Sequence, residues 1–206
     1  MLRILAVIPC RSGSIGVPHK NIRPLNNRPL MDYAIKPALE SIRIEKVVVN
    51  TDNQKYANIA SDLGATPYLR PLELAEDVPT EDVVIDMLNT LEQKYDILVT
   101  LQCTTPGILP LEIDYMIEKV VGGEFDSATT ICKSDVIPSW LYYKSVDGQI
   151  TNVLGKEIKG EEGIRQEHPQ SYVLTGACYV SKVADILKYN KILGGRIYGF
   201  DMPQNR

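Results

Sequence analysis

Between Ile8 and Asn21 the chain reads Ile-Pro-Cys-Arg-Ser-Gly-Ser-Ile-Gly-Val-Pro-His-Lys-Asn. Arg11 and Lys20 supply cations suited to phosphate, Ser12 and Ser14 add small hydroxyl donors, and Gly13 and Gly16 let backbone come close to a ligand. In combination they describe a cradle for a triphosphate. Neither the Gly-Lys-Ser/Thr ending of a P-loop nor the spacing of a dinucleotide fingerprint is present. Taken alone, the same residues also fit a surface loop with ordinary cations.

Other chemistries find less support. His19 and His168 are the chain's 2 histidines and lie far apart, so a histidine-centred metal site is not expected. There is no Gly-x-Ser-x-Gly elbow and no recognisable Cys-His constellation, which argues against covalent hydrolysis. Cys10, Cys103, Cys132 and Cys178 lack the paired spacing of a zinc site or a small disulfide scaffold and read as reduced core thiols.

The elements that must position the loop follow from hydrophobic period. Ile4 to Ile8 is a buried strand, so the loop sits where open α/β sheets present ligands, at a strand's carboxyl end. A helix is expected around Pro29 to Ser41, a strand over Lys46 to Asn50, a helix over Gln54 to Leu63 and a short strand over Thr66 to Leu69. Glu81 to Tyr95 carries Val84, Leu88, Leu91 and Tyr95 on one helical face. A strand at Ile97 to Gln102, a helix at Pro110 to Val121 and a strand at Ser127 to Cys132 continue the alternation. Such alternation predicts an α/β fold, a mainly parallel sheet with helices on both faces. After Pro138 the pattern changes: Trp140 to Lys144 and Gln149 to Val153 flank Asp147-Gly148, a hairpin signal. The polar stretch Lys156 to Gln170 reads as mobile or partner-ordered, and a strand over Tyr172 to Val180, a helix from Lys182 and a strand near Ile197 complete the chain. One domain over 1–206 is expected, with 138–170 as an excursion.

Composition sets the outer bounds. The 206 residues are 44% apolar, 23% charged and 7% aromatic, an ordinary globular profile that excludes disordered and collagen-like classes. With 22 basic and 26 acidic side chains the net charge is −4, so no general field attracts nucleic acid or an anionic membrane. No apolar run approaches the roughly 20 residues of a membrane span. Met1-Leu2-Arg3-Ile4 enters a strand without a signal-peptide core, and a cytoplasmic location is expected.

With these residues in view, the chain resembles the acylneuraminate cytidylyltransferases, which make CMP-sialic acid and its bacterial relatives CMP-legionaminic and CMP-pseudaminic acid. Their opening pattern, Ile-Pro-Ala-Arg-x-Gly-Ser-Lys-Gly followed by Lys-Asn, is matched by Ile8, Pro9, Arg11, Gly13, Ser14, Gly16, Lys20 and Asn21. Asn50-Thr51-Asp52-Asn53, Arg70-Pro71-Leu72-Glu73-Leu74-Ala75-Glu76-Asp77 and Leu101-Gln102-Cys103-Thr104-Thr105-Pro106 follow in the family's order. Arg165-Gln166-Glu167-His168-Pro169-Gln170-Ser171-Tyr172 and Thr175-Gly176-Ala177-Cys178-Tyr179 resemble its later motifs, with Thr175 in place of an Asn.

The resemblance implies a Rossmann-like nucleotidyltransferase fold, CTP and a sugar acid as substrates, and Mg²⁺ as cofactor. It implies that Arg11, Ser12, Gly13, Ser14, Gly16, Asn21 and Arg70 bind the nucleotide, with a weaker part for Asp77, Thr80 and Asp82. Gln102, Arg165, Gln166 and Tyr179 would bind the sugar acid, and Arg11, Lys20 and Gln102 would serve catalysis. An arginine fork and short polar groups suit base edges and ribose, an amide suits hydroxyls, and a guanidinium suits a carboxylate. The residues alone also allow an Arg70–Asp77 structural ion pair, a Gln102 that satisfies backbone, a solvated Arg165 and a core Tyr179. The Trp140 hairpin resembles the family's dimerisation excursion, so a homodimer is expected; a hairpin packing Trp140 and Tyr142 on its own domain is the alternative.

Three departures stand against the pattern. Ile15 occupies the place of a triphosphate-contacting Lys, and Gly107-Ile108 replaces Leu-Arg. The Ile-Asp-Ile-Asp-type segment that carries the family's metal-binding aspartates is absent after Met202, which leads to the expectation of a C-terminally shortened chain and leaves the metal ligands unassigned. The expected reaction is cytidylyl transfer from CTP to a nonulosonic acid with release of pyrophosphate. Its alternatives are a catalytically impaired binder of CTP or nucleotide sugar, and a cytidylyltransferase for another acid such as 3-deoxy-manno-octulosonate.

Overall fold

The computed structural model describes residues 2–14, 16–75, 78–155 and 168–206. In chain order its strands and helices are β1 (Ile4–Pro9), β2 (Pro24–Leu25), β3 (Arg28–Pro29), α1 (Asp32–Glu40), β4 (Lys46–Thr51), α2 (Gln54–Asp62), β5 (Thr66–Leu69) and α3 (Thr80–Thr90). They continue with β6 (Ile97–Leu101), α4 (Pro110–Val121), β7 (Ser127–Ser134), β8 (Tyr142–Lys144), β9 (Ile150–Asn152), β10 (Ser171–Lys182), α5 (Val183–Tyr189) and β11 (Ile197–Asp201).

Seven strands form one sheet in the order β11-β7-β10-β6-β1-β4-β5. Every neighbouring pair is parallel except those of β10, which runs antiparallel to both β6 and β7. The expected mainly parallel sheet is therefore present, and β1 lies inside it, which is why its run is apolar on both faces. Alternation divides that run. Ile4, Ala6 and Ile8 join a core with Ile35 of α1, Tyr56 of α2 and Met116 of α4. Leu5 and Val7 join a second core with Val84 and Met87 of α3 and Ile186 of α5. Helices thus cover both faces, and the carboxyl ends of β1, β4 and β6 open on one edge.

Two helices differ from the expected bounds. The segment before α1 forms the β2–β3 hairpin, turned at Asn26 and Asn27 with φ of 48° and 64°, so the helix begins after Pro29. α3 ends at Thr90 because Leu91 is extended, with ψ of 125°. Tyr95 is still buried, but it reaches the second core from the segment leading into β6, under the Arg3 guanidinium 5.0 Å from its ring. The expected hairpin is present as the β8–β9 pair. Among the described residues no helix is long and apolar enough to cross a membrane.

Candidate active site

A cleft of about 200 Å³ lies over the carboxyl ends of β1, β4 and β6. Pro9, Arg11, Ser14, Lys20, Asn21, Arg70, Val78, Thr80, Val83, Gln102, Cys103 and Thr104 line it. Residues far apart in sequence meet there because parallel neighbours end on the same edge.

The loop after β1 is shaped by two side chains outside the run of cations. Asp52, just past β4, accepts from the Ser12 backbone N–H at 2.7 Å and from its hydroxyl at 2.6 Å. Asn21, 6% exposed, donates from Nδ2 to the Arg11 carbonyl at 3.1 Å. The chain thereby folds back so that Arg11, Ser14 and Lys20 share one wall of the cleft. Ser12 does not line it, since both its donors are already engaged by Asp52. Among the described residues no atom lies within 4 Å of the position a Cβ would take at Gly13 or Gly16, apart from their chain neighbours. Ile15 lies outside the described residues.

Arg70 follows β5 and is 7% exposed. Its Nη2 donates to the Asn50 carbonyl at 2.6 Å and its Nη1 to the Leu74 carbonyl at 3.2 Å. Nε finds no acceptor among the described residues. Burial draws its pKa below the ordinary arginine value, and the Asp52 carboxylate opposes that shift. Thr80, first residue of α3, lines the same wall, whereas Asp82 is exposed and borders a separate surface hollow. Asp77 lies outside the described residues, and so does the pairing with Arg70 that the sequence allows.

On the opposite wall Gln102 leaves β6, its backbone N–H donating to the Ala177 carbonyl at 3.2 Å. The β10–β7 register shifts between Leu174 and Tyr179, and the extra residues form a bulge facing Gln102. Gly176 stands in that bulge at φ +78°; a Cβ there would lie 3.1 Å from Gln102 Oε1 and 3.8 Å from Tyr179 Oη. The missing side chain leaves room for the amide and the phenol to approach one another. Burial raises the Tyr179 pKa, aided by the Glu81 carboxylate, so this phenol stays a neutral donor. Arg165 and Gln166 lie outside the described residues. Asp52 and Gly176 belong to motifs visible in the sequence, but their parts emerge only from geometry.

The departure at Gly107 has a packing reason. A Cβ at that position would fall 2.7 Å from the Arg206 Cβ, while Arg206 donates to the Gly107 carbonyl at 3.4 Å and to Glu112 at 2.5 Å. Ile108 is core, 5% exposed. Among the described residues no group of three or more His, Cys, Asp or Glu could hold a metal ion, and the cleft lining carries no carboxylate. The described residues therefore do not fit a protein-held Mg²⁺.

Cations at the end of β1, a buried guanidinium beyond β5 and an amide at the end of β6 thus meet in one cleft at the edge of an α/β sheet. The profile of the family described as cytidylyltransferase matches residues 5–144, and the chain belongs to that family. Among its relatives, the CMP-N,N'-diacetyllegionaminic acid synthase of Legionella pneumophila is 36% identical over 196 residues, 91% of this chain and 81% of that protein. An N-acylneuraminate cytidylyltransferase of Streptococcus agalactiae is 28% identical over 206 residues, 98% of this chain and 49% of that protein, so the chain spans about half its length. The solved structure of CMP:2-keto-3-deoxy-manno-octonic acid synthetase complexed with CTP superposes with a TM-score of 0.70 at 16% identity, covering 97% of this chain and 90% of that one. The 4-diphosphocytidyl-2C-methyl-D-erythritol synthase of Anaerococcus prevotii gives 0.66 at 8% identity, covering 98% and 90%. At these identities the two structures establish the fold.

Proposed function

We propose that the chain joins CTP to a nonulosonic, sialic-type sugar acid. The observation that carries this reading is the facing of two walls across one cleft: Arg11, Lys20 and Arg70 on one side, Gln102 with Tyr179 behind it on the other. The acid's anomeric hydroxyl oxygen bonds to the α-phosphorus as the bond to the β-phosphate oxygen breaks. Pyrophosphate leaves with that electron pair, and the hydroxyl loses its proton. Such a transfer needs positioning and charge stabilisation more than covalent participation by the protein.

Arg11 and Lys20 neutralise the triphosphate, helped by Ser14 and the backbone of Gly13 and Gly16; Ser12 and Asn21 hold that loop in shape. Arg70 and Thr80 take the cytidine portion, with Asp77 beside them. Gln102 and Tyr179 orient the sugar hydroxyls, and Arg165 with Gln166 receives the carboxylate through parallel N–H donors. The chain acts as one cytoplasmic nucleotidyltransferase domain whose 138–170 excursion meets a second copy. Support for the homodimer comes from Tyr172, Val173 and Leu174, consecutive residues 43%, 49% and 58% exposed at the start of β10.

The test is pyrophosphate release with CTP, Mg²⁺ and a panel of sialic, legionaminic, pseudaminic and 3-deoxy-octulosonic acids. Release with one of the first three is expected. Release with octulosonate alone, or with no acid, overturns the proposal.

A further inference from the structure

The sheet's register brings two thiols together beneath the cleft. β1 and β6 pair with Ile4 opposite Ile97, Leu5 opposite Leu98, Ala6 opposite Val99 and Val7 opposite Thr100. Carried past the end of the ladder, the same offset sets Cys10 opposite Cys103. Parallel neighbours lie about 4.8 Å apart, and side chains at matched positions project to the same face. The two Sγ atoms are accordingly 3.1 Å apart, and neither is in a disulfide. Cys10 is fully enclosed, whereas Cys103 is 3% exposed and lines the cleft. A small reagent on the cleft floor meets Cys103 first, with Cys10 directly behind it.

We propose that Cys10 and Cys103 form a redox-modification site, closed to an intramolecular disulfide by a hydroperoxide that enters through the cleft. With hydrogen peroxide, the Cys103 thiolate attacks one oxygen, the O–O bond breaks, and the departing hydroxide takes up the thiol's proton as water. Cys103 becomes a sulfenic acid. The Cys10 sulfur then attacks the sulfenic sulfur, the S–O bond breaks, and the leaving hydroxide departs with the Cys10 proton as a second water. The two sulfurs together give up two electrons, and the peroxide accepts them.

The Cys10 thiol is pushed up, first by its hydrogen bond with Cys103 and then by burial. Bond formation at about 2.05 Å needs the sulfurs to close by about 1 Å. Cys10 precedes Arg11 and Cys103 follows Gln102, so the bond ties together the bases of the two walls.

The experiment treats the purified chain with hydrogen peroxide, alkylates remaining thiols after unfolding, and maps peptides without reduction. Expected are the loss of two hydrogens from the intact mass, one cross-linked peptide pair containing Cys10 and Cys103, alkylated Cys132 and Cys178, and reversal by dithiothreitol. The variant C10S should stop at a Cys103 sulfenic acid that dimedone traps. The map of the unaltered chain decides the matter even if that variant folds poorly. Recovery of Cys10 and Cys103 as free thiols, a cross-link through Cys132 or Cys178, or one between separate chains overturns the proposal.

Discussion

Arg70 is the most deeply buried cation that lines the cleft. Its guanidinium is 7% exposed and anchored on two carbonyls, yet Nε faces no acceptor among the described residues. Burying such a group without full hydrogen bonding is unfavourable. Arg70→Lys keeps the charge and loses the fork; CTP affinity should fall by about tenfold to a hundredfold, the equivalent of roughly 1.5–3 kcal/mol for a charged hydrogen bond. Titration calorimetry checks this, and an unchanged affinity would place the nucleotide elsewhere. Gly176→Ala puts a side chain at φ +78° against Gln102. It should lower stability by about 1–2 kcal/mol in denaturant unfolding, the cost of a left-handed L-residue, and reduce turnover. That Arg11 and Lys20 line the cleft was legible in the sequence, because these cations follow an apolar strand, whereas Arg70 and Gln102 were expected there from the family resemblance. Gly176 was not, because its role depends on a bulge that no local pattern marks.

Among the elements, the loop after β1 depends on β4. Asp52 presents two acceptor oxygens to the two donors of Ser12, 40 residues away. Asp52→Asn replaces one acceptor with a donor facing a donor. Amide hydrogen exchange over residues 11–14 should then quicken by about tenfold or more, a loss of roughly 1–3 kcal/mol of local protection. Exchange as slow as in the parent chain would mean that the loop holds its shape without Asp52. The strands were readable from β-branched runs, and the β8–β9 turn from Asp147-Gly148. Helix limits were less so. Leu91 and Tyr95 extend the apolar period of α3 beyond the point where the backbone straightens, because both still pack into the second core from the segment after the helix. The start of α1 was obscured by two asparagines whose positive φ makes a hairpin in place of a first helical turn.

At the scale of the whole molecule, alternating strands and helices already implied a layered α/β sheet, while strand order lay beyond any local signal. β10 sits between β6 and β7 and runs against both, which only pairing between distant segments decides. That insertion gives Gln102 its partner bulge and leaves Tyr172, Val173 and Leu174 at the surface. Leu174→Asp should convert a dimer to monomers in sedimentation velocity at micromolar concentration, while a sedimentation coefficient equal to the parent's would remove this surface from the interface. The central claim is that the α-phosphate of CTP passes to the sugar acid. CTP labelled separately at the α- and γ-phosphates, incubated with the accepted acid, tests it most directly. The account predicts the α-label in a CMP-sugar and the γ-label in pyrophosphate; γ-label in orthophosphate or in a phosphorylated sugar would contradict it.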